Sequence, residues 1–272
     1  EKYAKYGEAA FAEASRAAVE DMIADIDGAL KKQINKKQKT ELPGALKKCV
    51  WQLSEYGEKK VAKFKECAKV VSQERIGTGI FSLWLQTEQV AGEAKPGQFI
   101  NLYCQDGSRL LPRPISICEV NKEERQLRIV YRVAGKGTAE FSSYSKGDEV
   151  EILGPLGNGF PLDRMEEGKK AFLIGGGIGI PPMLELSREL KGEKQIILGY
   201  RDELFLNEEL AKNGTVYLAT EDGSAGTKGN VLDAICAEGL SADVIYACGP
   251  HPDASGAESL CRGKRHRVLA FS

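Results

Sequence analysis

The chain has no long apolar run and no excess of charge of one sign, and both absences limit what it can be. No apolar stretch in its 272 residues approaches the roughly 18–20 residues of a membrane-spanning helix. The net charge of −1 gives no indication of a nucleic-acid or membrane-surface partner. The N-terminus is charged and rich in alanine, and it lacks the apolar core of a secretory signal. We therefore expect no membrane partner and no nucleic-acid partner.

Paired cysteine motifs are also missing. The sequence contains seven cysteines, none of them in a CxxC pair: Cys49, Cys67, Cys104, Cys118, Cys236, Cys248 and Cys261. Their odd number and scattered positions favour a reduced, cytoplasmic chain over a disulfide framework. No metal or cluster site can be read from their spacing. The two histidines, His251 and His266, fit no triad or metal site and are predicted to lie at the surface.

The residue composition and pattern change along the sequence and divide the chain into segments. Residues 1–60 predict a helical extension followed by a Lys-rich linker. Residues 64–162 contain six short segments rich in Val, Ile, Tyr and Phe, punctuated by Gly, Pro and Asp about every ten residues, which predicts an antiparallel β-barrel. Over residues 168–250 strands alternate with helices, which predicts a doubly wound parallel sheet. We therefore predict an α+β chain with two core domains.

A glycine run follows the first strand of the predicted sheet. This strand begins at Ala171, and a helix opens after the run at Pro181 and Pro182. Glycine lets backbone N–H groups approach a pyrophosphate, and the helix N-terminus adds a partial positive charge. A plain strand–helix turn is the alternative, since the run does not match the dehydrogenase pattern GxGxxG. The predicted dinucleotide-binding residues are Gly175, Gly176, Gly177, Ile178 and Gly179.

Two elements of the predicted barrel are suited to a diphosphate. Arg113-Pro114-Ile115-Ser116, the RPIS segment, offers an arginine fork for a pyrophosphate and a serine hydroxyl for a flavin ring nitrogen, although Arg113 alone could be a surface charge. Gly135-Lys136-Gly137-Thr138, the GKGT turn, is rich in N–H donors. It follows Val130-Tyr131-Arg132, in which Tyr131 could equally be an ordinary strand aromatic.

A cysteine turn, Cys248-Gly249-Pro250, follows the strand that starts at Val244. Ligands of open sheets bind at the carboxyl ends of parallel strands, but a small buried thiol in a tight turn is the alternative. Thr220, Glu221 and Asp222 end another strand on this edge and could contact a ribose or cap a loop. Cys248 and Ser116 are the candidate catalytic residues. The order of the motifs suits a protein that holds a flavin against a nicotinamide.

These motifs together resemble one family. The segments RPIS, VYR, GKGT, GGGIGIPP, TEDGSAGTKG and ACGP are similar, in position and order, to those of the electron-transfer subunits of class 1B dihydroorotate dehydrogenases, within the ferredoxin–NADP reductase superfamily. The resemblance implies that Arg113 to Ser116, Val130 to Arg132, and Gly137 with Thr138 bind FAD in the barrel domain. It implies that the glycine run and the cysteine turn bind NADH in the sheet domain.

The resemblance also implies a function in pyrimidine biosynthesis. Members of this family are FAD-dependent NADH oxidoreductases that pass electrons through a [2Fe–2S] cluster to an FMN-containing dihydroorotate dehydrogenase catalytic subunit. Two alternatives stay open: another ferredoxin- or sulfide-linked NAD(P)H oxidoreductase subunit, and a non-catalytic truncated fragment.

After the strand that ends at Tyr200, Asp202 and Glu203 stand beside Arg201. Because two carboxylates would repel a 2′-phosphate, although Arg201 alone would favour it, we predict a preference for NADH over NADPH.

The two ends of the chain depart from this family. The family continues after Pro250 with a Met-Leu helix and a four-cysteine cluster segment, whereas residues 251–272 contain Cys261 alone. Read one base later, one choice of codons for residues 251–256 encodes TPMLR, which is the family's continuation. We therefore predict an aberrant, frameshifted tail over 251–272 that lacks the cluster ligands. Residues 1–30 resemble the last helix of orotidine 5′-phosphate decarboxylase, a segment too short to form that enzyme's barrel.

Overall fold

The computed structural model describes residues 62–105, 109–166 and 168–249, together with the backbone of residues 267–271. The predicted extension over 1–60, Pro250 and both histidines lie outside these residues, as do Cys49 and Cys261. Within the described ranges, no helix has the length and apolar character needed to cross a membrane.

Six antiparallel strands form a closed barrel in the order β1-β2-β5-β4-β3-β6. They are β1 Phe64–Gly77, β2 Ile80–Gln86, β3 Phe99–Leu102, β4 Arg113–Asn121, β5 Gln126–Arg132 and β6 Glu149–Leu156. Because successive side chains of a strand point to opposite faces, alternate residues such as Leu83 and Leu85 fill the interior. Two short helices lie between the strands, α1 Val90–Glu93 and α2 Lys136–Phe141.

The second half of the chain forms a sheet of parallel strands in the order β10-β9-β8-β7-β11-β12. The strands are β7 Lys170–Gly176, β8 Glu193–Tyr200, β9 Thr215–Thr220, β10 Thr227–Lys228, β11 Val244–Cys248 and β12 Arg267–Phe271. The helices are α3 Pro181–Glu189, α4 Asn207–Ala211 and α5 Val231–Ala237. The chain runs outwards from β7 to β8 and β9 on one side, and returns to β11 on the other. β7 and β11 therefore flank the topological switch point, where open sheets bind their ligands.

The predicted fold class is confirmed by this barrel and sheet. The sheet contains two strands that the sequence did not predict, the short β10 and β12. β12 lies within the predicted aberrant tail, and its backbone pairs in parallel with β11 from Val244 opposite Arg267 to Cys248 opposite Phe271. The segment RVLAF is rich in the apolar and β-branched residues that favour strands. The domain boundaries drawn from the sequence stay predictions.

Barrel and sheet share an apolar core, which we call the seam. Cys118 and Val130 of the barrel belong to the same buried cluster as Leu184 of α3 and Tyr246 of β11. Phe160, which follows β6, packs edge-on against the Tyr246 ring with 5.8 Å between ring centroids. This common burial holds the carboxyl edge of the sheet against one side of the barrel.

Candidate functional site

β4 and β5 separate at one end of the barrel. They pair with each other as far as Ile117 opposite Ile129. Beyond that point, residues 113–116 pair with β3 and residues 130–132 pair with β2. Between the described residues of these two stretches, no backbone pairing joins β4 to β5. Backbone N–H and C=O groups along the gap are thus available to a flat polar ring inserted between the strands.

A cleft of about 350 Å³ opens beside this gap, between the barrel and the sheet. It is lined by Gly97, Phe99, Pro114, Ser116, Gly157, Phe160, Pro182 and Cys248. β4 supplies Pro114 and Ser116, α3 supplies Pro182, and the end of β11 supplies Cys248. The structure therefore brings three sequence motifs to one place. A larger pocket of about 710 Å³ lies beside α2 and is lined by Lys136 of the GKGT turn. Since the lining of that pocket contains none of the other motifs, the smaller cleft is the candidate site.

The Arg113 guanidinium lies against the GKGT turn. A Cβ atom added to Gly137 would stand 2.7 Å from Arg113 Nε, a separation that real Cβ atoms do not show. Glycine at this position thus lets the guanidinium approach the turn. The Thr138 hydroxyl accepts hydrogen bonds from the N–H groups of Ala134 at 2.9 Å and Gly135 at 3.2 Å, which shapes the turn. An arginine fork beside a turn rich in N–H groups fits a phosphate.

The glycine run contacts the cysteine turn directly. A Cβ atom added to Gly179 would lie 2.2 Å from the Cys248 carbonyl oxygen and 2.7 Å from Gly249 Cα. Cys248 also stands opposite Gly175 in the parallel register of β11 and β7. Burial raises the pKa of the Cys248 thiol to about 11. This side chain is therefore a neutral thiol at physiological pH, not a thiolate nucleophile.

The Tyr131 side chain lies in the barrel core and not in the cleft. It is 1% exposed, and its ring stacks on Phe81 with 5.9 Å between ring centroids. Its hydroxyl donates to Gln73 Oε1 at 2.9 Å. Val130 is buried in the seam. Both residues can meet a ligand only through their backbone at the gap, whereas Arg132 is exposed. The position of the Tyr131 ring therefore agrees with the alternative interpretation, in which it is an ordinary aromatic side chain of a strand.

Some of the other residues predicted to contact a ligand are exposed, and others stabilise a loop. Thr220 is fully buried, and its hydroxyl donates to the Ala225 carbonyl at 2.8 Å and accepts from the Ala225 N–H at 3.1 Å. It therefore caps the following loop. The Asp222 carboxylate accepts from the Ser224 N–H at 2.9 Å within the same loop. Glu221 is exposed, as are Lys136 of the GKGT turn and Ile178 of the glycine run.

The loop after β8 contacts the barrel through Glu203, which the sequence did not reveal. The Glu203 carboxylate accepts from the Thr78 N–H at 2.7 Å, and this bond, with Arg75 and Arg132 nearby, lowers the pKa of Glu203. Asp202 is exposed. The predicted repulsion of a 2′-phosphate therefore depends on Asp202, because the Glu203 carboxylate is turned toward the barrel.

The described cysteines do not provide a cluster site. Cys67, Cys104, Cys118, Cys236 and Cys248 are free thiols. In the part of the chain that the structure describes, no group of three or more His, Cys, Asp or Glu residues is placed to hold a metal ion. A [2Fe–2S] centre needs four ligands, so these residues do not fit one.

A buried carboxylate in the seam was also missed. Glu185 on α3 is 4% exposed, and its Oε2 atom accepts from the Val120 N–H of β4 at 3.1 Å. Burial raises the pKa of Glu185 from 4.5 to about 7, although the Val120 N–H and Arg188 act in the opposite direction. The sequence predicted this helix but offered no sign that one of its carboxylates faces the barrel.

Replacing Glu185 with glutamine is expected to flatten the pH dependence of stability. Because the folded-state pKa lies above the ordinary value of 4.5, the unfolded chain releases this proton at lower pH than the folded chain. Stability should therefore fall as the pH rises from about 4.5 through about 7, by at most roughly 3 kcal/mol. Glutamine keeps an acceptor for the Val120 N–H and carries no charge. Urea unfolding between about pH 5 and pH 8 checks this, and an equal pH dependence in both proteins would contradict it.

A closed six-stranded barrel joined to a parallel sheet, with a cleft at the switch point, defines a ferredoxin–NADP reductase type of protein. A solved NADH-dependent reduced ferredoxin–NADP oxidoreductase is similar to the chain with a TM-score of 0.66 and 26% identity, over 75% of each chain. A ferredoxin NADP+ reductase from Neisseria gonorrhoeae with bound FAD and NADP has a TM-score of 0.63 over 76% of this chain and 98% of that one. At 17% identity, it supports the fold alone.

Curated relatives identify the family within this class. The electron transfer subunit of dihydroorotate dehydrogenase B (NAD(+)) from Geobacillus thermodenitrificans is 42% identical over 206 residues, which is 74% of this chain and 80% of that protein. The corresponding subunit from Streptococcus mutans is 45% identical over 190 residues, 68% of this chain and 73% of that protein. No family model matches the chain. The chain belongs to the family of dihydroorotate dehydrogenase B electron transfer subunits.

Proposed function

We propose that this chain oxidises NADH and passes the electrons through bound FAD toward the catalytic subunit of a dihydroorotate dehydrogenase in pyrimidine biosynthesis. One observation carries the proposal. The cleft places Ser116 of the barrel, beside the gap between β4 and β5, together with Cys248 of the sheet at the topological switch point. A flavin ring in the gap and a nicotinamide at the switch point would meet in this cleft.

Each motif then has a distinct part in binding. Arg113 and the GKGT turn would hold the FAD pyrophosphate, and the backbone edges of residues 113–116 and 130–132 would hydrogen-bond the flavin ring. The Ser116 hydroxyl would donate to a ring nitrogen. The glycine run and the cysteine turn would hold NADH, with its pyrophosphate at the N-terminus of α3. The bound flavin supplies hydride acceptance from NADH and release of electrons one at a time.

The lining of the cleft determines what the protein itself contributes. The lining residues that the structure describes are Gly, Phe, Pro, Ser and Cys, and none of these carries a charged side chain. Phe99 and Phe160 contribute apolar surface to the cleft and would help to exclude water when the ligands are bound. With its pKa raised to about 11, Cys248 presents a neutral thiol to the nicotinamide. The described part of the chain thus surrounds the reactants mainly with apolar side chains.

The family supports a partner for this chain, and the cysteines support a compartment. The relatives are named as electron transfer subunits of dihydroorotate dehydrogenase B, which supports the catalytic subunit of that enzyme as the partner toward which electrons pass, whereas the described residues do not fit the [2Fe–2S] centre that would carry them there. The five described cysteines are free thiols, and this supports a reducing, cytoplasmic location.

The identity of the flavin tests the first half of the proposal. We expect the purified full chain to carry FAD and not FMN, because Arg113 and the GKGT turn provide a site for a diphosphate that a monophosphate would not fill. Chromatography of the flavin released by heat identifies it. Purified chain that carries FMN, or that binds neither flavin when reconstituted, would contradict the proposal and favour a non-catalytic fragment.

Pyridine nucleotide preference tests the second half. We expect faster flavin reduction by NADH than by NADPH, because the exposed Asp202 would repel a 2′-phosphate. Replacing Asp202 with asparagine should narrow the difference, while Glu203→Gln should change it less, because Glu203 is hydrogen-bonded to Thr78. Stopped-flow reduction with each nucleotide provides the measurement. Faster reduction by NADPH in the unmodified protein would reverse the assignment.

A further inference from the structure

The cleft and the seam are built from the same two elements. β4 supplies Ser116 to the cleft and, further along the same strand, Val120 to the seam. α3 supplies Pro182 to the cleft and Glu185 to the seam. Pro182 and Glu185 lie within one turn of α3, and Ser116 and Val120 lie on the same strand, on either side of a register shift between Ile117 and Glu119. The spacing of β4 and α3 at the seam therefore sets their spacing at the cleft.

A buried hydrogen bond joins the backbone of β4 to α3. Glu185 Oε2 accepts from the Val120 N–H at 3.1 Å, and both residues are buried. Removing the acceptor would leave a buried backbone donor without this partner, which the surrounding structure can avoid only by moving or by admitting water. Glu185 is absent from the lining of the cleft, so any effect on the reactants acts through β4 and α3.

Ion pairs surround this contact and extend it across the seam. Arg188 donates to Glu119 Oε1 at 2.6 Å and lies 3.5 Å from Glu185 Oε2. Arg128 donates to Glu119 Oε2 at 3.3 Å and to Glu209 Oε2 of α4 at 2.6 Å. Since Arg188 is 43% exposed, solvent screens its ion pairs. The buried Glu185 contact is therefore the stronger constraint on the position of α3.

We propose that Glu185 is a positioning residue for hydride transfer: by accepting the Val120 N–H, it holds α3 against β4 and sets the width of the cleft between Ser116 and Pro182. This inference rests on the proposed function and extends it to a residue outside the binding motifs. A change in this width alters the approach of the nicotinamide to the flavin. It leaves in place Arg113 and the glycine run, which supply most of the binding.

The test uses the full chain loaded with FAD and mixed anaerobically with NADH. Glu185→Ala is expected to lower the limiting rate of flavin reduction by roughly 10- to 100-fold, because a displacement of about 1 Å has an effect of that order. The NADH concentration for half-maximal rate and the flavin bound per chain should change little. Glu185→Gln, which keeps the acceptor, should restore the rate to within a few-fold. Glu193→Ala, which breaks the exposed ion pair with Lys170, is the matched control and should leave the rate unchanged.

The outcomes separate this inference from the proposed function. If NADH does not reduce the flavin of the unmodified protein, the proposed function is overturned, and the inference with it. If NADH reduces the flavin of the unmodified protein and of Glu185→Ala equally fast, the inference alone is overturned. The same follows if flavin reduction in Glu185→Gln is as slow as in Glu185→Ala. If Glu185→Ala does not retain flavin, Glu185→Met replaces it. Methionine fills similar space and cannot accept the hydrogen bond in the same way, so the same loss of rate is expected.

Discussion

Replacing Gly179 with alanine is expected to slow flavin reduction by NADH by roughly 100-fold while the flavin stays bound. The added Cβ atom would lie 2.2 Å from the Cys248 carbonyl oxygen and 2.5 Å from the Cys248 carbonyl carbon. Both are backbone atoms, which cannot rotate away as a side chain can. Either the glycine run or the cysteine turn must shift, by on the order of 1 Å, and a shift of that size has an effect of about 100-fold on a positioned reaction.

Gly92→Ala provides the control for this substitution. Gly92 lies in α1, and a Cβ atom there would meet nothing within 4 Å. We expect this variant to be reduced at the rate of the unmodified protein, since alanine favours a helix more than glycine does. Rapid mixing with NADH, with bound flavin measured separately, compares the two variants. If Gly179→Ala were reduced as fast as Gly92→Ala, the glycine run would not hold the nicotinamide nucleotide.

Replacing Arg113 with alanine is expected to weaken FAD binding by about tenfold or more. The substitution removes a charge-assisted hydrogen bond to the pyrophosphate, a contact of roughly 1.5–3 kcal/mol. The FAD affinity of Arg113→Lys should lie between those of the unmodified protein and the alanine variant, because lysine keeps the charge but lacks the planar fork. Fluorescence titration of the apoprotein with FAD measures the affinity. Unchanged flavin affinity in the alanine variant would remove Arg113 from the site.

Elements that depend on local patterns could be predicted from the sequence. The six barrel strands coincide with short segments rich in apolar and β-branched residues, such as QLRIVYR. Helix α3 begins with the two prolines that come after the glycine run. The order of four motifs was sufficient to expect a flavin and a nicotinamide in one protein. The structure added the contact between the glycine run and the cysteine turn, which brings the two motifs predicted to bind the nicotinamide nucleotide together.

Features that depend on contacts between distant residues could not be predicted. Tyr131 follows the same strand pattern whether its ring faces a ligand or the core, and only the packing against Phe81 decides between them. Glu185 is one of two carboxylates on α3, and its burial depends on the position of β4. The same holds for Glu203, whose partner is a backbone N–H of the barrel. A single sequence does not show which surfaces of two domains will meet.

The most direct test of the central claim is one turnover of the FAD-loaded full chain with NADH in the absence of oxygen. The proposed function predicts that the visible absorbance of the bound flavin bleaches completely, at a rate within the range of roughly 1–1000 s⁻¹ that is typical of enzymes. It also predicts that NADPH acts more slowly. Flavin that stays bound and oxidised with both nucleotides would show that the cleft between Ser116 and Cys248 does not bring a nicotinamide to a flavin.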